Sequence, residues 1–150
     1  MNKTEKDKLK RSLHTYFNEL YKIYIGGDFR EESFYGVLQK LIEDCSKLFQ
    51  LQGKANVLVL PKKTKAGIPD FRIDKDGEII GYIEAKSPDA NLKEIENSDQ
   101  LRRYRESFPN IILTNFLEFR LYRDGKLIDS VEVGRQFILQ KLKYPPPPEK

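Results

Sequence analysis

The sequence predicts a three-layer α/β domain in which a mixed β-sheet is flanked by helices. Asp76-Gly77 and Asp124-Gly125 each separate two apolar runs, and such dipeptides are the strongest short signal for a two-residue β-hairpin. Between the two hairpins, the strand that ends near Lys86 is followed by a helical pattern and then by a continuous apolar run, Ile111 to Thr114. That order is typical of a right-handed crossover between parallel strands. Antiparallel hairpins joined through a parallel pair make the sheet mixed.

Two amphipathic helices are predicted at the start of the chain. Apolar residues recur at helical spacing from Lys8 to Ile25, and Gly26-Gly27 ends this helix. Asp28 is expected to cap the second helix, with Glu31 three residues later at the spacing of a capping box. The buried stripe of the second helix comprises Phe34, Leu38, Leu41, Ile42, Cys45, Leu48 and Phe49.

The first three strands of the sheet come next. Val57 to Leu60 is a short strand, and Phe71 to Asp74 pairs with Ile79 to Lys86 in the first hairpin. Because the last of these strands begins with Ile79-Ile80, we expect it to lie mostly in the core.

The second half of the chain supplies a helix and the second hairpin. A polar bridge or short helical turn covers Asn91 to Asn97, after which Ser98 caps a helix that Pro109 ends. The strands of the second hairpin are Leu117 to Tyr122 and Lys126 to Val133, and a last helix is expected from Gln136 to Leu142.

Composition and the C-terminal end set the limits of the domain. The 150 residues are 39% apolar and 33% charged, which suits one globular domain with a single core. Tyr144 is followed by four prolines, Pro145 to Pro148, which cannot continue a helix or strand and form a stiff spacer. We therefore expect a folded domain at residues 1–143 and a linker or tail at residues 144–150, where the chain looks cut from a longer protein.

The same composition excludes several classes of site. A single cysteine, Cys45, rules out an internal disulfide and a multi-cysteine zinc site, and a single histidine, His14, rules out a cluster of histidine ligands. No apolar run is long enough to span a bilayer, and the N-terminus lacks the core of a signal peptide. These features predict a cytoplasmic protein with no membrane partner.

Three charged residues lie where the first hairpin should be apolar. Asp70 stands at the start of its first strand, and Glu84 and Lys86 point to one face near the end of its second strand. Two carboxylates and an ammonium group at the end of an apolar sheet cost free energy unless they are paired or bind a metal ion. A divalent-cation site beside a lysine would use all three. The alternative is a charged pair on a solvent-exposed face of the sheet.

The pattern Pro69-Asp70, a gap and then Glu84-Ala85-Lys86 resembles the PD-(D/E)xK nuclease superfamily, whose members share the restriction-endonuclease-like core. Gln100 and Tyr104 form a Gln-x-x-x-Tyr sequence that is similar to an accessory motif of this superfamily. The whole order of elements looks most like the N-terminal nuclease domain of single-chain restriction-modification enzymes. One position departs from that group, because Glu31-Glu32 stands where Glu-His is expected.

The resemblance implies an Mg²⁺-dependent DNA endonuclease, with Mn²⁺ as a substitute metal. Asp70, Glu84 and the main-chain carbonyl of Ala85 would bind the metal ion. Lys86 would orient or deprotonate the attacking water, or neutralise developing charge.

Four further residues bear on the same site. Gln100 would support the site, whereas Tyr104 would pack or form a hydrogen bond. Glu31 either adds an acidic group to the site or only caps its own helix, and Glu32 is the other acid that could reach the site.

DNA is the predicted partner. A net charge of +4 favours a polyanion. Two basic clusters flank the proposed site, as a phosphate-binding track would: Lys54, Lys62, Lys63 and Lys65, and then Arg102, Arg103 and Arg105. No groove-reading module is visible, so further domains of the same longer chain would supply sequence recognition, and a dimer would serve double-strand cleavage. The second hypothesis is a non-catalytic nucleic-acid-binding module that retains the nuclease fold.

Overall fold

A single mixed sheet of six strands organises the protein, whose computed structural model describes residues 1–49 and 55–134. The strands are β1 (Ala55–Val59), β2 (Phe71–Lys75), β3 (Glu78–Ala85), β4 (Asn110–Thr114), β5 (Glu118–Arg123) and β6 (Lys126–Glu132). They lie side by side in sequence order, and every neighbouring pair is antiparallel except β3 and β4, which are parallel. The predicted α/β class, with a mixed sheet and a crossover between β3 and β4, is confirmed.

Helices cover both faces of the sheet. They are α1 (Lys3–Gly26), α2 (Tyr35–Leu48), α3 (Leu92–Ile95) and α4 (Asp99–Ser107), with a 3-10 turn at Glu31–Phe34. On one face, Leu20 and Leu38 of α1 and α2 share a buried cluster with Ile83 of β3. On the other face, Leu101 of α4 packs with Leu113 of β4. The domain therefore has the three predicted layers.

Helix α1 is longer than predicted, beginning at Lys3 rather than near Lys8. Its extra turn is stabilised by a capping box, in which the Asn2 side chain accepts from the backbone N–H of Glu5 at 2.8 Å and Glu5 accepts from Asn2 at 3.0 Å. Gly27, at φ 73°, ends the helix in the left-handed conformation as expected.

The start of the second helical segment differs from the prediction. Asp28 does not cap it; the segment opens as a 3-10 turn with Arg30 at the capping position, and the Ser33 hydroxyl accepts from the Arg30 backbone N–H at 3.1 Å. The expected capping box of Asp28 and Glu31 is therefore wrong. Because Ser33 supplies the cap, the carboxylate of Glu31 is available for other contacts.

Strand β3 is buried only at its C-terminal end. Ile79 and Ile80 are 53% and 43% exposed, whereas Ile83, Glu84 and Ala85 are buried. The expectation that Ile79-Ile80 belongs to the core is wrong, because the flanking helices enclose only the end of the strand that carries Glu84. The first three residues of β3 are all exposed, whereas Ile73 of β2 and Tyr82 of β3 still pack against the buried clusters.

Several expectations concern residues outside the described ranges. These are the last helix at residues 136–142, the linker at residues 144–150 and the position of Lys54. Within the described ranges, no helix is long and apolar enough to cross a membrane.

Candidate active site

Strand pairing brings Asp70 and Glu84 to the same end of the sheet. Phe71 of β2 pairs with Ile83 of β3. Because the two strands are antiparallel, Asp70, which precedes Phe71, lies opposite Glu84, which follows Ile83. Just beyond the ladder, Oδ2 of Asp70 accepts a hydrogen bond of 2.8 Å from the backbone N–H of Ala85. The carboxylate of Asp70 is thus held against the Glu84-Ala85-Lys86 segment.

The parallel pairing of β3 with β4 positions Lys86, and helix α4 supplies its partner. The backbone N–H of Lys86 donates to the Thr114 carbonyl at 2.8 Å, which extends the pairing past the end of β3. Its Nζ lies 2.9 Å from Oε1 of Gln100 and 3.4 Å from Oε1 of Glu84. Gln100 sits in the first turn of α4, where the Ser98 side chain caps the helix as predicted. The site therefore joins two strands and a helix.

Glu84 is the most deeply buried carboxylate of this cluster, with 4% of its surface exposed. Burial and the neighbouring charge of Asp70 raise its pKa to about 7, and Lys86 only partly offsets these effects. Within the described part of the chain, Oε2 of Glu84 is buried with no hydrogen-bond partner. An unpaired buried carboxylate oxygen is costly, so this atom marks where a cation would be stabilised.

Asp70 is oriented from the helical side by Tyr35. The Tyr35 hydroxyl forms a hydrogen bond with the Asp70 carboxylate, and the Tyr35 ring packs against Phe71 with centroids 4.9 Å apart. Burial raises the pKa of Asp70, while the contacts from Tyr35 and from the backbone N–H of Ala85 counteract the rise. Sequence reasoning missed Tyr35. Its place one helical turn after Glu31 was the signal that could have identified it.

The two acids at the start of the helical segment take different positions. Burial raises the pKa of Glu31, and its carboxylate accepts from the backbone N–H of Ser87 and interacts electrostatically with Lys86 and Asp70. Glu32 is instead exposed and lies 3.6 Å from the guanidinium of Arg30. Glu31 therefore lies at the edge of the cluster, whereas Glu32 acts on it only through its charge, which adds to the rise in the pKa of Asp70.

Tyr104 supports the other side of the cluster. It is 1% exposed, and its hydroxyl forms a hydrogen bond with the Gln100 side chain. Burial raises its pKa to about 12, so the group is a neutral phenol at physiological pH. Gln100 is thus held between Tyr104 and Lys86, with its carbonyl oxygen directed to the lysine.

The basic residues do not all have the free, exposed side chains that the predicted phosphate-binding track requires. Arg105 has an internal role: it donates to the Gly125 carbonyl at 2.8 Å, and its guanidinium lies 4.8 Å from the centroid of the Tyr122 ring. Arg102 and Arg103 are exposed, as are the lysines of the loop before Asp70. The expected phosphate-binding track therefore loses Arg105.

The side chains can be compared with the needs of a metal ion. Within residues 1–49 and 55–134, no group of three or more His, Cys, Asp or Glu side chains is arranged to hold a metal. Mg²⁺, however, is commonly bound by only one or two carboxylates together with water and substrate phosphate. The pair Asp70 and Glu84, with the unpartnered oxygen of Glu84, fits that donor set.

Comparison with known proteins agrees with the fold. No family model and no curated protein sequence matches the chain. Among solved structures, it is similar to a chain of the DrdV–DNA complex determined by cryo-electron microscopy, with a TM-score of 0.65 and 21% sequence identity. The match covers 91% of this chain and 99% of that chain. At this identity the likeness shows a shared fold, and the six-stranded mixed sheet with its flanking helices agrees with the predicted restriction-endonuclease-like core.

Proposed function

We propose that this domain is a metal-dependent deoxyribonuclease of the PD-(D/E)xK type, the cleavage module of a larger restriction-modification enzyme. The observation that carries the proposal is the buried, unpartnered Oε2 of Glu84, which lies in one cluster with Asp70 and Lys86. A carboxylate pair with a lysine at the end of a sheet suits phosphodiester hydrolysis. The shared fold with a chain solved in complex with DNA supports the substrate class.

Mg²⁺, or Mn²⁺ in its place, would be held by Asp70, Glu84 and the main-chain carbonyl of Ala85. The N–H and C=O of an extended residue point to the same side, so the Ala85 carbonyl faces the side on which its N–H meets Asp70. When bound, the metal polarises the phosphate and lowers the pKa of a coordinated water.

Lys86 supplies a positioned donor. In its ammonium form lysine has three N–H donors and no acceptor. The side chains of Gln100 and Glu84 occupy two of these directions, which leaves one for an attacking water or a phosphate oxygen. This arrangement favours orientation of the water or neutralisation of developing charge over proton abstraction. Gln100 acts by holding Lys86, and Glu31 completes the negative edge of the site beside Ser87.

The wider context belongs to the same proposal. DNA is the substrate, and further domains of a longer chain recognise the target sequence. A second copy of the domain would be needed to cut both strands. The protein would act in the cytoplasm, where its one cysteine stays reduced.

Cleavage of supercoiled plasmid tests the proposal directly. We expect nicking that requires Mg²⁺ or Mn²⁺, abolished by Asp70→Asn and by Glu84→Gln. Glu78→Gln is the matched control, because Glu78 is exposed on the same strand as Glu84 and should leave cleavage unchanged. DNA binding with no metal-dependent cleavage by the unmodified chain would instead support a non-catalytic nucleic-acid-binding module.

A further inference from the structure

A short basic turn projects beside the candidate site, and its backbone is held by hydrogen bonds. We call residues 61–68 the basic hairpin. Thr64 and Gly67 exchange backbone hydrogen bonds of 2.8 and 3.2 Å, and the Thr64 hydroxyl donates to the Gly67 carbonyl at 2.7 Å. At its base, the backbone N–H of Leu60 donates to the Asp70 carbonyl at 2.7 Å. Hydrogen bonds therefore fix the basic hairpin both near its tip and at its base. The base includes Asp70, which is proposed to bind the metal ion.

Helix α4 holds the tip of the basic hairpin in place. Nε of Arg103 donates to the Ala66 carbonyl at 3.4 Å, and Ala66 is buried in the same cluster as Tyr104. Gly67 has φ 134°, a conformation open to glycine, and a Cβ there would lie 3.1 Å from the Tyr104 hydroxyl oxygen. The close approach to Tyr104 links the basic hairpin to the helix that also carries Gln100.

The lysines of the basic hairpin carry exposed charge that no acidic side chain of the described residues pairs with. Lys62, Lys63 and Lys65 are all exposed, and none of them forms an ion pair with any residue in the described ranges. Three unpaired cations on a fixed turn repel one another unless an anion lies between them. A backbone already ordered before binding also loses less conformational entropy when it meets a ligand.

We infer that the basic hairpin is a preformed phosphate clamp, in which Lys62, Lys63 and Lys65 grip the DNA backbone next to the bond that the site cleaves. The inference rests on the proposed nuclease function. It assigns the contacts to this turn, anchored by Tyr104 and Arg103, rather than to the net charge of the domain. Because the clamp and Asp70 share one segment, phosphates bound by the lysines lie next to the proposed metal ligands.

Salt-dependent DNA binding distinguishes a clamp from bulk charge. We would measure the anisotropy of a fluorescein-labelled duplex in EDTA, which prevents cleavage, between about 50 and about 200 mM salt. The logarithm of the affinity falls with the logarithm of the salt concentration, and each lysine that contacts a phosphate makes this slope steeper by about 0.9. The triple variant Lys62→Gln, Lys63→Gln and Lys65→Gln should therefore make the slope shallower by about 2.7.

The matched control removes the same charge elsewhere. Lys6, Lys8 and Lys10 of α1 are also exposed and unpaired within the described ranges, and their triple glutamine variant should change the slope by less than about 1. Equal changes in the two triple variants would overturn the clamp while leaving intact the DNA binding that the proposed function requires. Failure of the unmodified chain to bind the duplex would contradict both.

A glycine pair tests the anchoring without altering charge. Gly67→Ala should weaken binding of the same duplex at least about fivefold, because the new Cβ, 3.1 Å from the Tyr104 hydroxyl, shifts the hairpin relative to Tyr104. Gly77→Ala is the control: Gly77 has φ 82° in the β2–β3 turn, but its Cβ would meet nothing within 4 Å. Thermal melts report folding of both variants. Unchanged affinity in folded Gly67→Ala protein would overturn the anchored clamp.

Discussion

Asp70 and Ala85 are joined by a hydrogen bond of 2.8 Å, in which the backbone N–H of Ala85 donates to Oδ2 of Asp70. The aspartate side chain thereby takes the place of a backbone acceptor just before β2 begins, beside the last residue of β3. Its position relative to Glu84 is set by strand pairing rather than by a loop. Groups held on rigid strands keep their spacing without the substrate, which is what a preorganised metal site requires.

The burial of Glu84 predicts that neutralising it stabilises the metal-free protein. Its pKa of about 7 in the folded state lies above the ordinary value of 4.5, so its favourable contribution is complete below pH 4.5 and is lost as the pH rises through about 7. In EDTA at about pH 8, Glu84→Gln should therefore raise the free energy of unfolding by about 1 to 3 kcal/mol. Urea unfolding measures the change.

The difference should disappear below about pH 3.5, where wild-type Glu84 is protonated in both the folded and the unfolded state. Glu78→Gln provides the control, because Glu78 is exposed on the same strand and should have no such effect. A loss of stability in Glu84→Gln at about pH 8 would mean that Glu84 holds the fold together rather than the site.

The same carboxyl group should make the proposed metal binding depend on pH. Because the pKa of Glu84 is about 7, Mn²⁺ must displace a proton from the site at and below neutral pH. The affinity should rise by up to about tenfold per pH unit below pH 7 and level off above it. Titration calorimetry in buffers of different ionisation enthalpy measures the released proton. Affinity that stays constant from about pH 6 to about pH 8 would contradict this assignment.

The sequence predicts the parts of the site that depend on strand periodicity and misses those that depend on the start of a helix. Glu84 and Lys86 share a face because they are two residues apart, and the Asp76-Gly77 turn joins their strand to the strand that follows Asp70. The register that places Asp70 opposite Glu84 also depends on a one-residue shift between Ile73 and Asp74, which the sequence pattern does not predict. The sequence pattern predicts Asp28 as the cap of the second helical segment. In the structure Arg30 holds the capping position, and the Ser33 side chain makes the hydrogen bond there. The exposure of Ile79 and Ile80 was also beyond the pattern, because it depends on how far the helices reach along the sheet.

The contact between Lys86 and Gln100 predicts energetic coupling. If Gln100 acts only by holding Lys86, Gln100→Leu should lower cleavage by about 10-fold in the wild type and have little further effect in Lys86→Met. The resulting coupling energy should be about 1.4 kcal/mol. Plasmid cleavage rates of the two single variants and the double variant supply the cycle. Additive losses would show that Gln100 acts independently of Lys86.

Glu31 and Glu32 offer a matched pair of acidic residues. Glu31 accepts from the Ser87 backbone and interacts with Lys86, whereas Glu32 is exposed beside Arg30. We expect Glu31→Gln to reduce cleavage by about 10-fold, because it removes a negative charge that interacts with Lys86. Glu32→Gln should change cleavage by less than about twofold. Equal effects, or the reverse order in cleavage assays, would remove Glu31 from the site.

Arg120 should be essential for stability although it lies outside the site. It is 7% exposed, and its guanidinium lies 3.0 Å from carboxylate oxygens of both Glu96 and Glu118. Burial alone would raise the pKa of Glu96, but hydrogen bonds from Tyr122 and Arg120 lower it. Arg120→Met leaves these carboxylates beside an apolar side chain and should cost about 2 to 3 kcal/mol at neutral pH.

The pH dependence separates this ionic role from simple packing. A lowered pKa means that Glu96 contributes stability above its ordinary value of 4.5, and that this stability is lost as the pH falls through the folded-state pKa. The deficit of Arg120→Met in urea unfolding should therefore shrink below about pH 4. A deficit that is the same at about pH 3 and about pH 7 would indicate lost packing instead.

Because Glu96 stands between α3 and α4, loss of the Arg120 contact should also loosen the helix that carries Gln100, and cleavage should fall before the domain unfolds.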